Sequence, residues 1–123
     1  MNSHDYRVAT ELKRRLAQAV PLIAMKVYGS KARGDEDEYS DLDVYIEVAE
    51  LDKQIKERIS DIVWEVGLEN RMIISPLIFS SYEVADSPLR ESPIVKNIER
   101  EGILLWPIGK RSLFIGYAKL KRR

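Results

Sequence analysis

Asp41 and Asp43 open a segment, Asp41 to Val48, that alternates in character. Asp41, Asp43, Tyr45 and Glu47 fall on one side of it, and Leu42, Val44, Ile46 and Val48 on the other. Period two marks a half-buried strand, which sets both aspartates on one face with Cβ atoms roughly 6.5–7 Å apart. At that separation two carboxylates can share or bridge divalent cations. Like charges on one sheet face repel without a cation, so the pair asks for a ligand. Earlier in the chain, Gly29-Ser30-Lys31-Ala32-Arg33-Gly34 follows a short apolar run. Gly29 permits a sharp strand-to-helix turn and lets backbone approach a ligand closely. A helix starting there aims free amide N–H groups at an anion, and phosphate suits that position. The Ser30 hydroxyl adds a donor, and Arg33 or Lys31 adds positive charge. Taken singly, a Gly-Ser turn is an ordinary turn, and two aspartates on a strand are an exposed polar face. Their succession is what points to chemistry.

The rest of the composition narrows that chemistry. At 123 residues, 45% hydrophobic and 33% charged, the sequence reads as one globular domain with a single core. It contains no cysteine and a lone histidine, His4, so a bound metal must be held by oxygen ligands. That favours Mg²⁺, Mn²⁺ or Ca²⁺. No apolar run reaches the length of a membrane span and no secretory leader opens the chain, so the expectation is a cytoplasmic protein. The formal net charge is zero and gives no global pointer to nucleic acid. The zero hides an asymmetry: every charged residue from Asp35 to Glu50 is acidic, and every one from Lys110 to Arg123 is basic.

The elements that must position the two pieces follow from spacing. Val8 or Ala9, Leu12, Leu16 and Ala19 predict an amphipathic helix over Asp5 to Val20, stopped by Pro21. Leu22 to Tyr28 reads as a buried strand, and Asp35 to Tyr39 as an acidic loop before the alternating strand. Asp52 caps a second helix with Ile55, Ile59, Ile62, Val63 and Val66 as its stripe, ending near Gly67. Met72 to Phe79 reads as a third strand whose far end Pro76 demotes to an edge or bulge. Ser80 with Glu83 fits a capping box, Ser92-Pro93 opens a last helix closed by Gly102, and Ile103 to Trp106 forms a short strand. The predicted fold is α+β, a small mixed sheet with helices packed on one face. Residues 1–106 make up the domain and 107–123 a basic tail. Leu113, Phe114, Ile115 and Tyr117 in the tail could pack back on the domain, meet a partner protein or meet a second copy.

Read together, the stretch GSKARGDEDEYSDLD from Gly29 to Asp43 resembles the signature of the DNA polymerase β-like nucleotidyltransferase superfamily. That signature is Gly-Ser, a short helix with Ala-Arg-Gly, then Ser-Asp-x-Asp. It is most similar to the minimal nucleotidyltransferases, small proteins often found beside HEPN-domain proteins. Lys96 to Gly102 also looks like the closing helix of that group. The resemblance implies a polymerase β palm-like fold and transfer of a nucleoside monophosphate, AMP in particular, to a hydroxyl. Gly29, Ser30 and Arg33 would then hold the triphosphate of ATP. Asp41 and Asp43 would hold Mg²⁺, or Mn²⁺ in its place, as catalytic carboxylates and metal ligands.

One part of the family pattern is missing. Active members carry a third carboxylate on the next strand, and the matching position here is Ile73, on a strand with no acidic residue. Glu47 shares the face of the aspartates but lies about 13 Å beyond Asp43 at strand rise. Glu69, Glu83 and Asp86 flank the strand. A missing base costs about 10²–10⁴-fold in rate without forbidding catalysis. Two functions remain open: an enzyme that nucleotidylates a partner protein or small molecule, and a catalytically weak or inactive nucleotide-binding, antitoxin-like module associated with a HEPN-domain partner.

Overall fold

An apolar stripe at helical spacing folds the first residues into α1 (Ser3–Ala19), burying Val8, Ala9, Leu12 and Leu16. The helix begins before Asp5 because Asn2 caps it, its Oδ1 accepting from the Asp5 amide at 2.8 Å. In this computed structural model, residues 1–34 and 40–106 are described, with no account of the Trp106 side chain. The acidic loop Asp35 to Tyr39 and the tail from Pro107 onward, including its expected boundary, lie outside the described residues.

After α1 the order is β1 (Leu22–Tyr28), α2 (Gly29–Arg33), β2 (Leu42–Val48), α3 (Lys53–Asn70), β3 (Ile74–Ser80), α4 (Ser81–Asp86), α5 (Pro93–Glu101) and β4 (Ile103–Trp106), with a 3-10 turn at Pro88–Glu91. The strands form one sheet in the order β3-β2-β1-β4. β1 pairs antiparallel with β2 and β4, and β2 pairs parallel with β3. A parallel pair needs a long crossover, which α3 supplies. Pro76 is tolerated in β3 because that strand is an edge. The expected capping box at Ser80 and Glu83 is present in both directions.

Helix α3 starts as expected, with Asp52 Oδ1 accepting from the Ile55 amide at 2.8 Å. It does not stop near Gly67. Gly67 is buried inside the helix, and a methyl built there would lie 2.8 Å from the Met72 carbonyl oxygen. The glycine therefore makes room for the returning chain, whose Met72 amide donates to the Gly67 carbonyl at 3.0 Å. The stop is Arg71, in the left-handed conformation at φ 52°.

The main core lies between the sheet and the two long helices. Leu12 and Leu16 from α1 and Ile59, Val63 and Val66 from α3 pack on Met25, Val27, Leu42, Val44, Ile46 and Ile74. Each fully buried Leu, Ile or Val contributes about 1.5–3 kcal/mol, so this layer fixes which face of β2 turns inward. The opposite face is not bare, as a one-faced arrangement would leave it. Val95 and Ile98 of α5 cluster there with Tyr45 and Phe79, whose ring centroids are 5.8 Å apart. That second cluster covers the far half of β2, while Asp41 and Asp43 at its head remain partly exposed.

Candidate functional site

The sheet register brings the two sequence pieces together. Asp43 sits between Tyr28, the last residue of β1, and Ser75 of β3. The chain then turns at Gly29, with φ at +76°, a conformation that favours glycine. A methyl built on Gly29 would come 2.5 Å from Asp43 Oδ2 and 3.3 Å from its Cγ. The backbone of the turn thus lies directly against the carboxylate. On the other side, Ser75 Oγ donates to Asp41 Oδ2 at 3.1 Å. Asp41, Asp43, Ser75 and the Gly29 turn form one polar corner at the head of β2.

Charge in this corner is under strain. Burial first, and the neighbouring Asp41 charge second, push the Asp43 carboxyl above its usual range, while Arg33 of α2 partly offsets them. Burial, with the Asp43 charge added, likewise raises the Tyr28 phenol. Arg33 also faces Glu101 of α5 at 3.5 Å. The donor set is oxygen only, two carboxylates with a hydroxyl beside them, and its excess negative charge is what a hard divalent cation relieves. These residues fit a hard divalent cation. Among the described residues, no third acidic or histidine side chain joins the pair to make a group that could hold a metal.

Three of the acidic candidates are engaged elsewhere. Glu47 is mostly buried and accepts from Tyr45 Oη at 2.8 Å and Ser81 Oγ at 3.1 Å, so it is engaged away from the corner. Glu69 pairs with Arg15 at 2.7 Å, and Glu83 closes the cap of α4. Ile73 lies just before β3 and is 69% exposed; its carbonyl accepts from the Leu42 amide at 2.9 Å, which keeps it beside Asp41, while the register sets Ser75 directly opposite Asp43. The side chain that β3 contributes to the corner is therefore Ser75. Period-two counting from Ile73 reaches it, and it is the polar residue within the stretch Met72 to Phe79 that the sequence predicts as the strand. A resemblance anchored on the family's spacing passes over it.

The sequence of the nucleotidyltransferase domain family matches residues 9–105, from α1 into β4. The chain belongs to this family. No curated protein sequence matches it. Among solved structures, the domain is similar to a protein described as a nucleotidyltransferase from Sulfolobus solfataricus, at 19% identity and a TM-score of 0.57 over 87% of this chain and 86% of that one. It is similar also to a chain of a toxin–antitoxin structure with AMP-PNP, at 16% identity and a TM-score of 0.53 over 92% and 86% of the two chains. A chain from a variant of the toxin–antitoxin MntA–HpeT gives 17% identity and a TM-score of 0.55 over 91% and 84%. At these identities the likeness establishes a shared nucleotidyltransferase fold. No helix among the described residues of this nucleotidyltransferase domain is long and apolar enough to cross a membrane.

Proposed function

We propose that this nucleotidyltransferase domain transfers a nucleoside monophosphate, AMP in particular, from a Mg²⁺-bound nucleoside triphosphate to a hydroxyl on a partner protein or small molecule. The observation that carries the reading is the corner where Asp41 and Asp43 share a face and the Gly29 turn lies against Asp43. Asp41 and Asp43 hold the divalent cation, Mg²⁺ or Mn²⁺. The Gly29 and Ser30 backbone with the Ser30 hydroxyl and the Arg33 guanidinium hold the triphosphate. When bound, the cation supplies charge stabilisation for the attacking and leaving oxygens. The acceptor oxygen bonds to the α-phosphorus, the bond to the β-phosphate oxygen breaks, and pyrophosphate leaves. The acceptor proton needs a base, and Ser75 beside the carboxylates is a poor one.

Ser75 in that place favours a second reading, in which the domain binds Mg²⁺–ATP but transfers slowly, as an antitoxin-like module paired with a HEPN-domain protein. The toxin–antitoxin structures among its fold relatives support a protein partner in either case. The basic segment 107–123 is the part of the chain we assign to that contact, with residues 1–106 as the catalytic unit in the cytoplasm. Incubation with ATP labelled on the α-phosphate, Mg²⁺ and the protein encoded beside this one separates the readings. Label on the neighbour with pyrophosphate released supports the enzyme. Nucleotide binding and complex formation without label support the module, and the absence of both sinks the two together.

A further inference from the structure

Helix α2 has two faces with different partners. One carries Arg33, whose charge reaches Asp43. The other carries Lys31, whose side chain is only 4% exposed and whose Nζ lies 3.2 Å from Asp5 Oδ2, itself 2% exposed. Asp5 is held in turn by the Asn2 cap, which receives its amide at 2.8 Å. Burying a Lys–Asp pair takes two charges out of water, and an apolar pair of similar size is often as stable or more so. The desolvation here is incompletely offset, since an ammonium has three donors and Lys31 bonds among the described residues to Asp5 alone. A pair of this kind is a weak contributor to stability, but it is strongly directional. It ties the five residues of α2, which begin with Gly29 and Ser30, to the first turn of α1.

We propose that the buried Asp5–Lys31 ion pair is a positioning device that fixes α2 in the orientation in which its turn receives the triphosphate. Lys31 and Asp5 touch neither nucleotide nor cation; they act through Gly29, Ser30 and Arg33. The inference rests on the reading of that turn as the triphosphate site, so one of its measurements is independent of nucleotide. α2 closes with the Gly34 amide donating to the Ser30 carbonyl at 3.0 Å, and hydrogen exchange at Gly34 reports how firmly the helix is seated.

The test compares wild type with the apolar double variant Asp5→Leu/Lys31→Met and with the milder neutral pair Asp5→Asn/Lys31→Gln, which strands no buried charge, reading melting temperature, Gly34 exchange and the Kd for Mg²⁺–ATP. The apolar double variant should melt within a few degrees of wild type. Exchange at Gly34 should accelerate about tenfold without metal or nucleotide. The Kd for Mg²⁺–ATP should rise about tenfold or more, the scale of a misplaced binding group. Asp5→Asn/Lys31→Gln should move both readouts in the same direction by less, since a neutral hydrogen bond can replace the ion pair, and it serves alone if the apolar double variant does not fold. Wild-type exchange at Gly34 in these variants overturns the inference, whatever nucleotide does. Faster exchange with unchanged Kd overturns it as well, because α2 would then be loosened without consequence for the triphosphate. Failure of the wild type itself to bind Mg²⁺–ATP sinks the proposed function instead, and the Gly34 result shows whether the pair still seats the helix.

Discussion

Gly29→Ala tests the contact on which the site is built. Alanine at φ +76° meets the left-handed penalty, about 1–2 kcal/mol for a residue with a Cβ. The new methyl also falls 2.5 Å from Asp43 Oδ2. Because that oxygen ends a short side chain, the collision relaxes mostly by turning the carboxylate out of the corner. The extra loss of stability should therefore be modest, about 1 kcal/mol within the usual cost of overpacking. The loss of function should be large, on the order of 10²-fold in Mg²⁺–ATP affinity, since a displaced ligand group no longer meets the cation. A double-mutant cycle with Asp43→Ala separates the two contributions. In that background the Oδ2 and Cγ contacts are gone, and Gly29→Ala should cost only the backbone penalty, about 4–8 °C in melting temperature for a chain of this size. Thermal unfolding of the four metal-free proteins, with calorimetric titration of the two that keep Asp43, gives the whole cycle. Equal costs in both backgrounds, together with wild-type affinity in Gly29→Ala, would refute the claim that the turn lies against the carboxylate.

Ser75→Asp should add a carboxylate opposite Asp43, raise nucleotide transfer within the ~10²–10⁴-fold range of a positioned base, and lower the melting temperature without metal, as label transfer and calorimetry would report. Ile73→Asp, at a 69% exposed position, should leave the melting temperature close to wild type, and a severe drop would mean that the register assigned to β3 is wrong. Protonation should also matter. Burial, then Asp41, raises the Asp43 carboxyl, so its contribution to stability is full below the unfolded value near 3.8 and is lost as pH rises through the higher folded value. Melting curves of the metal-free protein from about pH 4 to about pH 7 should therefore fall more steeply for wild type than for Asp43→Asn; parallel slopes would contradict the raised carboxyl.

Elements set by local rules are legible in the sequence, and those that depend on contacts across the fold are not. β2 was legible because one buried face imposes period two, and the caps at Asp52 and Ser80 because a side-chain oxygen must meet the first free amides. Gly67 misled because a glycine near a helix end usually stops the helix, whereas here it admits the returning backbone at Met72. Period two and its polarity mark Ser75 as a residue of one face of β3, but its place beside Asp41 depends on the parallel register of β2 and β3, which no local pattern encodes. Asp5 left a faint signal: it extends the Val8, Leu12, Leu16 stripe backward onto the buried face, where an acidic residue demands a partner. That the partner is Lys31 follows only from the packing of α1 beside α2.

In the proposed function, Asp41 and Asp43 hold the cation through which this nucleotidyltransferase domain takes its triphosphate. The decisive measurement is calorimetric titration of ATP into wild type and into Asp41→Asn/Asp43→Asn, each with and without Mg²⁺. Wild type should bind only when Mg²⁺ or Mn²⁺ is present. The double variant should bind weakly in both conditions while melting no lower than metal-free wild type, since the substitutions remove carboxylate repulsion. Metal-independent binding by wild type, or undiminished binding by the double variant, would contradict the assignment.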